Sequence, residues 1–182
     1  MKVALLPGGF KPPHRGHLDL IRHYAALADR VIVFVSAKPR KGPRLGTRFA
    51  VGPTMELLEL YVERAGLDNV ELRLASYASL LHYLGDVEPD DQIILAASNK
   101  DNDGQRFRRQ VTQGLGKRGQ LLCPEKFLYP VSKSPLRATQ FRGAIEMGKS
   151  IDTYLPEGVS AEEVCAAYDT VPGQRRYRWE KS

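Results

Sequence analysis

The stretch Gly8-Gly9-Phe10-Lys11-Pro12-Pro13-His14-Arg15-Gly16-His17 constrains the fold more than any other part of the chain. An apolar run, Val3-Ala4-Leu5-Leu6, precedes it and reads as a short buried strand. After it, Leu20, Ile21, Tyr24 and Leu27 recur at the spacing of one helix face. The stretch is therefore a strand-to-helix turn at the carboxyl end of the first strand, where open α/β sheets place their ligands. Gly8 and Gly9 let backbone amides approach a ligand, since neither has a side chain in the way. Gly16 frees the helix N-terminus, whose unpaired N–H groups and positive dipole end attract phosphate. His14 and His17 fall at the same helix start, and each can donate a hydrogen bond to a phosphate oxygen.

Residues Gly9 to His17 resemble the G-x-F-x-P-x-H-x-G-H signature of the nucleotidylyltransferase superfamily. His14-Arg15-Gly16-His17 matches its H-x-G-H element. Many members of that superfamily carry Asp where this chain has Lys11, so the local charge is inverted. The chain's size and its proline-rich signature look most like the small NMN-type adenylyltransferases, with the cytidylyltransferases second.

Charge agrees with such a site. The formal net charge is +6, which suits a polyanionic partner, either nucleotide phosphates or nucleic acid. A chain of 182 residues predicts one compact domain, here 1–170, followed by a basic, aromatic tail over 171–182. Two cysteines, Cys123 and Cys165, make no disulfide framework and suit a reducing cytosol. The chain start does not read as a signal peptide, and no apolar run reaches membrane-spanning length, so the expectation is cytoplasmic, with no membrane partner.

Arg30 to Val35 is β-branched and apolar, a second buried strand. It leads into Ser36 to Arg48, a loop with five basic residues at a strand's carboxyl end. Relatives place a phosphate-binding lysine after this strand, and Lys38 and Lys41 both fit that role. A helix is predicted over Pro53 to Ala65, with Met55, Leu58 and Val62 on its core face and Gly66 as its stop. Asn69 to Leu74 alternates as a half-exposed strand near a sheet edge, and Ala78 to Leu84 reads as a short helix. Asp91 to Ala97 is a central strand running into a hydrophilic loop from Ser98 to Arg109. That loop reads either as an ordinary polar turn or, from the resemblance, as an acceptor or base-recognition loop using Ser98, Lys100, Asp101 and Asp103. The two carboxylates there are weak grounds for a dedicated metal site. One or both of Gly119 to Cys123 and Phe127 to Val131 should be strands.

Leu136 to Arg142 opens a further helix and resembles the superfamily's second signature, I-S-S-T-x-x-R, through Thr139 and Arg142. The two point the same way one helical turn apart and can grip phosphates, the arginine through its planar fork. Ser160 to Glu163 is a capping box for a last helix reaching Tyr168. The tail, Gln174 to Trp179, has the residues to bind nucleic acid by charge and stacking, or to dock on a neighbouring subunit of a homo-oligomer.

Alternating strands and helices predict a Rossmann-like parallel sheet with helices on both faces. The resemblance implies strand order 3-2-1-4-5. It also implies nucleotidyl transfer, most readily of AMP from ATP to a phosphorylated acceptor such as NMN, with release of pyrophosphate. His14 and His17 would donate to the phosphates, and Lys11 would hold the triphosphate or an anionic acceptor. Lys38 or Lys41, with Thr139 and Arg142, would hold the triphosphate tail beside the backbone of Gly8, Gly9, Phe10 and Gly16. Magnesium would travel with the triphosphate. The reading of another class is a non-catalytic module that binds nucleotides or nucleic acid.

Overall fold

Two neighbouring apolar runs, Val3 to Leu6 and Val31 to Val35, organise the sheet. The computed structural model describes residues 1–76, 87–88, 90–95, 120–121, 135–170 and 173. They group into two compact units, each assembled from separate stretches of chain. The first comprises Met1–Gly8, Asp19–Ser36 and Leu67–Lys133; the second comprises Gly9–Leu18, Ala37–Gly66 and Ser134–Ser182.

In the first unit, β1 (Lys2–Gly8) lies parallel between β2 (Arg30–Ser36) and β6 (Gln92–Leu95), and β5 (Val70–Ala75) borders β2. The register sets Leu5 opposite both Ile32 and Leu95. Val3 to Leu5 and Val31 to Val33 are fully buried, as strands covered on both faces must be. The order β5-β2-β1-β6 reproduces the 3-2-1-4 part of the expected order, and β7 (Gln120–Leu121) pairs in parallel beside β6. Strand β5 is at the edge, as its alternation predicted, with Leu74 48% exposed. The Asn69 side-chain amide donates to the carbonyls of Ala25 and Ala28, tying the end of α1 (Arg15–Leu27) to the approach to β5. Helix α1 buries Leu20, Ile21 and Tyr24, whereas Leu27, in its last turn, is exposed, which corrects the expected core face.

In the second unit, the basic loop holds a small hairpin, β3 (Arg40–Lys41) antiparallel to β4 (Arg48–Phe49). Helix α2 (Val51–Arg64) ends at Gly66, whose φ of +68° suits glycine. Its core face is Thr54, Leu57, Leu58, Tyr61 and Val62; Met55, expected in the core, is only half-buried. The Thr54 hydroxyl earns its buried place by donating to the Ala50 carbonyl and sharing a 2.6 Å hydrogen bond with the Tyr168 hydroxyl. Helix α3 is Ala138–Glu146, a 3₁₀ turn covers Asp152–Tyr154, and α4 is Ala161–Ala167.

Helix α4 starts with the expected capping box: Ser160 Oγ accepts from the Glu163 N–H, and the Glu163 carboxylate accepts from the Ser160 N–H. The Arg64 guanidinium, followed by the Ser160 backbone, holds the Glu163 carboxyl down at about 2. Ser160→Ala should lower unfolding stability by about 1 kcal/mol, the usual cost of an N-cap. Urea unfolding measures it, and an unchanged midpoint would show that the ion pair suffices to hold α4. Among the described residues, no helix is long and apolar enough to cross a membrane. The predicted helix over Ala78 to Leu84, the run Phe127 to Val131, Cys123 and the tail from Gln174 lie outside the described residues.

Candidate active site

The residues of the first signature and of the second come together within the second unit. Gly8 ends β1 in the first unit, and the signature loop starts at Gly9. Phe10 follows with φ +54°, a left-handed conformation uncommon for a residue with a side chain. Its ring is buried and meets His17 edge-on, with centroids 5.0 Å apart. The Lys11–Pro12 bond is cis. Tyr61, on α2, donates its hydroxyl to the Pro13 carbonyl at 3.0 Å, and burial pushes that phenol's pKa up. The loop is thus clamped by a buried hydroxyl on a rigid helix.

His14 and His17 stack, with ring centroids 3.7 Å apart and planes 16° from parallel. Each ring also accepts from the other residue's backbone. The His14 N–H donates to His17 Nδ1 at 3.0 Å, and the His17 N–H approaches His14 Nδ1 at 3.3 Å. A ring nitrogen that accepts carries no proton, so the proton of each neutral imidazole sits on Nε2. The start of α1 thereby presents two imidazoles in one defined tautomer. His14 is buried and His17 half-buried; Gly16 is buried between them.

Lys11 is buried despite its charge, at 1% exposure, and its Nζ donates to the Gly9 carbonyl at 2.9 Å. Burial, then the nearby Arg40 and Arg142 cations, lower its pKa to about 8. Arg142, on α3, is also buried. Its Nη1 donates to the Lys11 carbonyl at 2.7 Å, its Nε to the Lys41 carbonyl at 3.1 Å, and its Nη2 to Thr139 Oγ1 at 3.2 Å. Burial, then Arg40, lower the Arg142 pKa, against the raising effect of Glu146. A guanidinium has five N–H donors, so these bonds leave donors for an anion. In this geometry Arg142 also holds the signature loop, the hairpin and Thr139 in register.

Arg40 is the residue that the sequence reading overlooked. Its Nε lies 3.8 Å from where a Cβ on Gly9 would stand, and its charge reaches both Lys11 and Arg142. Lys38, Arg40 and Lys41 are all exposed. A run of five basic residues gave no means in sequence to single out Arg40, which the structure sets beside Gly9. Ser98, Lys100, Asp101 and Asp103 lie outside the described residues.

A groove of about 630 Å³ runs beside α3, lined in part by Thr139, Gly143, Arg44, Lys149 and Tyr154; neither histidine lines it. Among the described residues, no cluster of three or more His, Cys, Asp or Glu side chains could hold a metal ion. The groups around the signature are cations and imidazole donors. Their chemistry suits the phosphates of a metal-bound nucleotide rather than the metal itself.

A family model described as cytidylyltransferase-like matches residues 5–111, more than half of the chain. The match covers the first signature and stops short of Thr139 and Arg142. A phosphopantetheine adenylyltransferase of Afipia carboxidovorans is 27% identical over 164 residues, covering 87% of this chain and 93% of that protein. One from Nitrobacter winogradskyi is 28% identical over 166 residues, covering 88% and 94%. Among solved structures, a bifunctional NMN adenylyltransferase/ADP ribose pyrophosphatase of Francisella tularensis matches with a TM-score of 0.60 at 17% identity, covering 85% of this chain and 44% of that one. A Vibrio parahaemolyticus structure, provisionally described as a nicotinate-nucleotide adenylyltransferase, matches at 0.59 and 23% identity, covering 85% and 94%. At these identities the structural likenesses show the Rossmann-like α/β fold.

Proposed function

The chain belongs to the cytidylyltransferase-like family and is a nucleotidylyltransferase, and from that premise we propose that it transfers AMP from ATP to a phosphomonoester acceptor. An acceptor phosphate oxygen attacks the α-phosphorus of ATP. The bond from that phosphorus to the bridging oxygen breaks, its electron pair goes to that oxygen, and pyrophosphate leaves. No covalent enzyme intermediate is needed. Catalysis rests on positioning and on stabilising charge at the phosphoryl oxygens.

The observation that carries this reading is the paired imidazoles of His14 and His17, held by backbone N–H groups as Nε2 donors at a helix start. They would donate to oxygens of the transferring and leaving phosphates. Lys11, Arg40 and the remaining N–H groups of Arg142 would hold the triphosphate or the acceptor's phosphate, with Thr139 and the backbone of Gly9 and Gly16 beside them. Lys38 and Lys41 would add charge from the hairpin side. Phe10 would serve chiefly by supporting His17 from beneath. Magnesium bound to the triphosphate would neutralise part of its charge. Ser98, Lys100, Asp101 and Asp103 would read the acceptor or the base.

The curated relatives named above are phosphopantetheine adenylyltransferases, which sets 4′-phosphopantetheine first among acceptors and NMN and nicotinate mononucleotide next. The test is pyrophosphate release with magnesium, from each of ATP, CTP, GTP and UTP, against each acceptor. Release from ATP with one of these acceptors is the expected result. Release from CTP alone would replace the adenylyl reading with a cytidylyl one, and silence with every pair would remove these acceptors from the proposal.

A further inference from the structure

The turn of the β3–β4 hairpin is wrapped around a carboxylate. Glu146, at the end of α3, is completely buried. Its Oε1 accepts from the Arg44 N–H at 3.0 Å, and its Oε2 accepts from the N–H groups of Leu45 at 2.8 Å and Thr47 at 3.1 Å. Gly42 closes the remaining side. A Cβ there would stand 2.0 Å from the Glu146 carboxylate carbon, so no other residue fits without displacing the carboxylate. The turn closes on itself too, through the Gly42 N–H to the Thr47 carbonyl at 2.7 Å and the Gly46 N–H to the Gly42 carbonyl at 3.1 Å.

A buried carboxylate is costly unless charge-assisted hydrogen bonds satisfy it, and here three backbone donors do so. Two paired residues per strand make no stable hairpin by themselves, so the hairpin takes its position from what it is tied to. It is tied to α3 at two points: Arg142 holds the Lys41 carbonyl, and Glu146, one helical turn later, holds the turn. Between those anchors and the signature loop stands Arg40, beside Gly9 and close enough to lower the pKa of Lys11.

We propose that Glu146 is the positioning residue that sets Arg40 against the signature loop, so that the hairpin is the anion-binding arm of the nucleotide site. This rests on the nucleotidyl-transfer reading above. Glu146 touches no substrate. It acts through the hairpin backbone on Arg40, whose guanidinium lies beside Gly9.

The test is a double-mutant cycle on the full chain, with Glu146→Gln, Arg40→Ala and the pair, read as the dissociation constant of magnesium-ATP. Glutamine keeps the size of the side chain but meets one backbone N–H with its own amide N–H. Each single variant should weaken ATP binding about tenfold, and the pair should bind within about twofold of Arg40→Ala alone. A merely structural Glu146 would cost the same factor with or without Arg40, and that multiplicative result would overturn the proposal. So would unchanged ATP affinity in Glu146→Gln. Should Glu146→Gln fail to fold, Gly42→Ala displaces the same carboxylate from the hairpin side and is judged by the same criterion. Should the wild-type protein bind no nucleoside triphosphate, the nucleotidyl-transfer reading fails separately. Limited trypsinolysis then decides the positioning claim: cleavage after Lys41, Arg44 and Arg48 should be about tenfold faster in Glu146→Gln, since an opened hairpin is cut in proportion to its open population. Equal rates would overturn it.

Discussion

His17→Ala is expected to lose at least about a hundredfold in kcat, the usual cost of removing one preorganised donor to a developing negative charge. The fold should survive, because His17 is half-buried and contributes one ring to a loop held independently by Tyr61 and Arg142. The two imidazoles are interlocked, each Nδ1 taking the other residue's backbone N–H. Alanine at either position keeps the backbone N–H that anchors the other ring, so each single variant costs the remaining imidazole only its stacking partner. His14→Ala should cost a similar factor, and the double variant little more than either single one, as for groups that act as a unit. Steady-state kinetics in pyrophosphate release, with thermal unfolding as the control, checks all three. A folded His17→Ala enzyme with near wild-type turnover would withdraw the catalytic role. Costs that multiply in the double variant would show that the rings act separately.

The candidate site stood out in the sequence because two independent signals fell on the same few residues. An apolar run ending in glycines predicts a turn after a buried strand, and paired histidines at a helix start predict phosphate chemistry. The strands of the first unit were legible for a related reason: strands buried on both faces must be nearly all apolar, and Val31 to Val35 are. The hairpin was not. Its two-residue strands show no periodicity, and its composition is that of a solvated loop. Arg40 and Glu146 were hidden with it. Glu146 sits on the helix face that follows Arg142, and nothing in its neighbours in sequence says that a turn about a hundred residues away closes around it. Thr54 and Met55 show the same limit on a smaller scale. Apolar spacing puts the methionine inside, but the hydroxyl of Tyr168 gives the threonine a buried partner, and it is Thr54 that lies on the buried face. Long-range hydrogen bonds decide such cases, and they leave no local pattern.

Lys11 carries the second large effect. It stands where many superfamily members have an acidic residue, and it is buried beside two arginines. Substituting Met keeps the length and removes the charge. Loss of a buried, hydrogen-bonded charge facing an anion should weaken triphosphate or acceptor affinity by on the order of thirtyfold or more. The pH dependence separates this role from packing. With its pKa lowered from 10.5 to about 8, Lys11 is mostly charged at neutral pH. As pH rises through about 8 the ammonium is lost, so affinity for the anion should fall, approaching tenfold per pH unit. Stability of the ligand-free protein should move the other way. Between about 8 and 10.5 the unfolded chain still holds a proton that the folded chain has released, so this group makes stability rise with pH across that window; below about 8 both states hold it and the cost of burying the charge is present in full. Lys11→Met should flatten both trends at once, losing affinity at pH 7 while gaining ligand-free stability there. Titration of magnesium-ATP and of the phosphorylated acceptor at several pH values, with chemical unfolding at the same pH values, reads the two trends on one pair of proteins. A variant that kept both the affinity and the pH profile of the wild type would show that the buried ammonium holds the loop and takes no part in binding the anion.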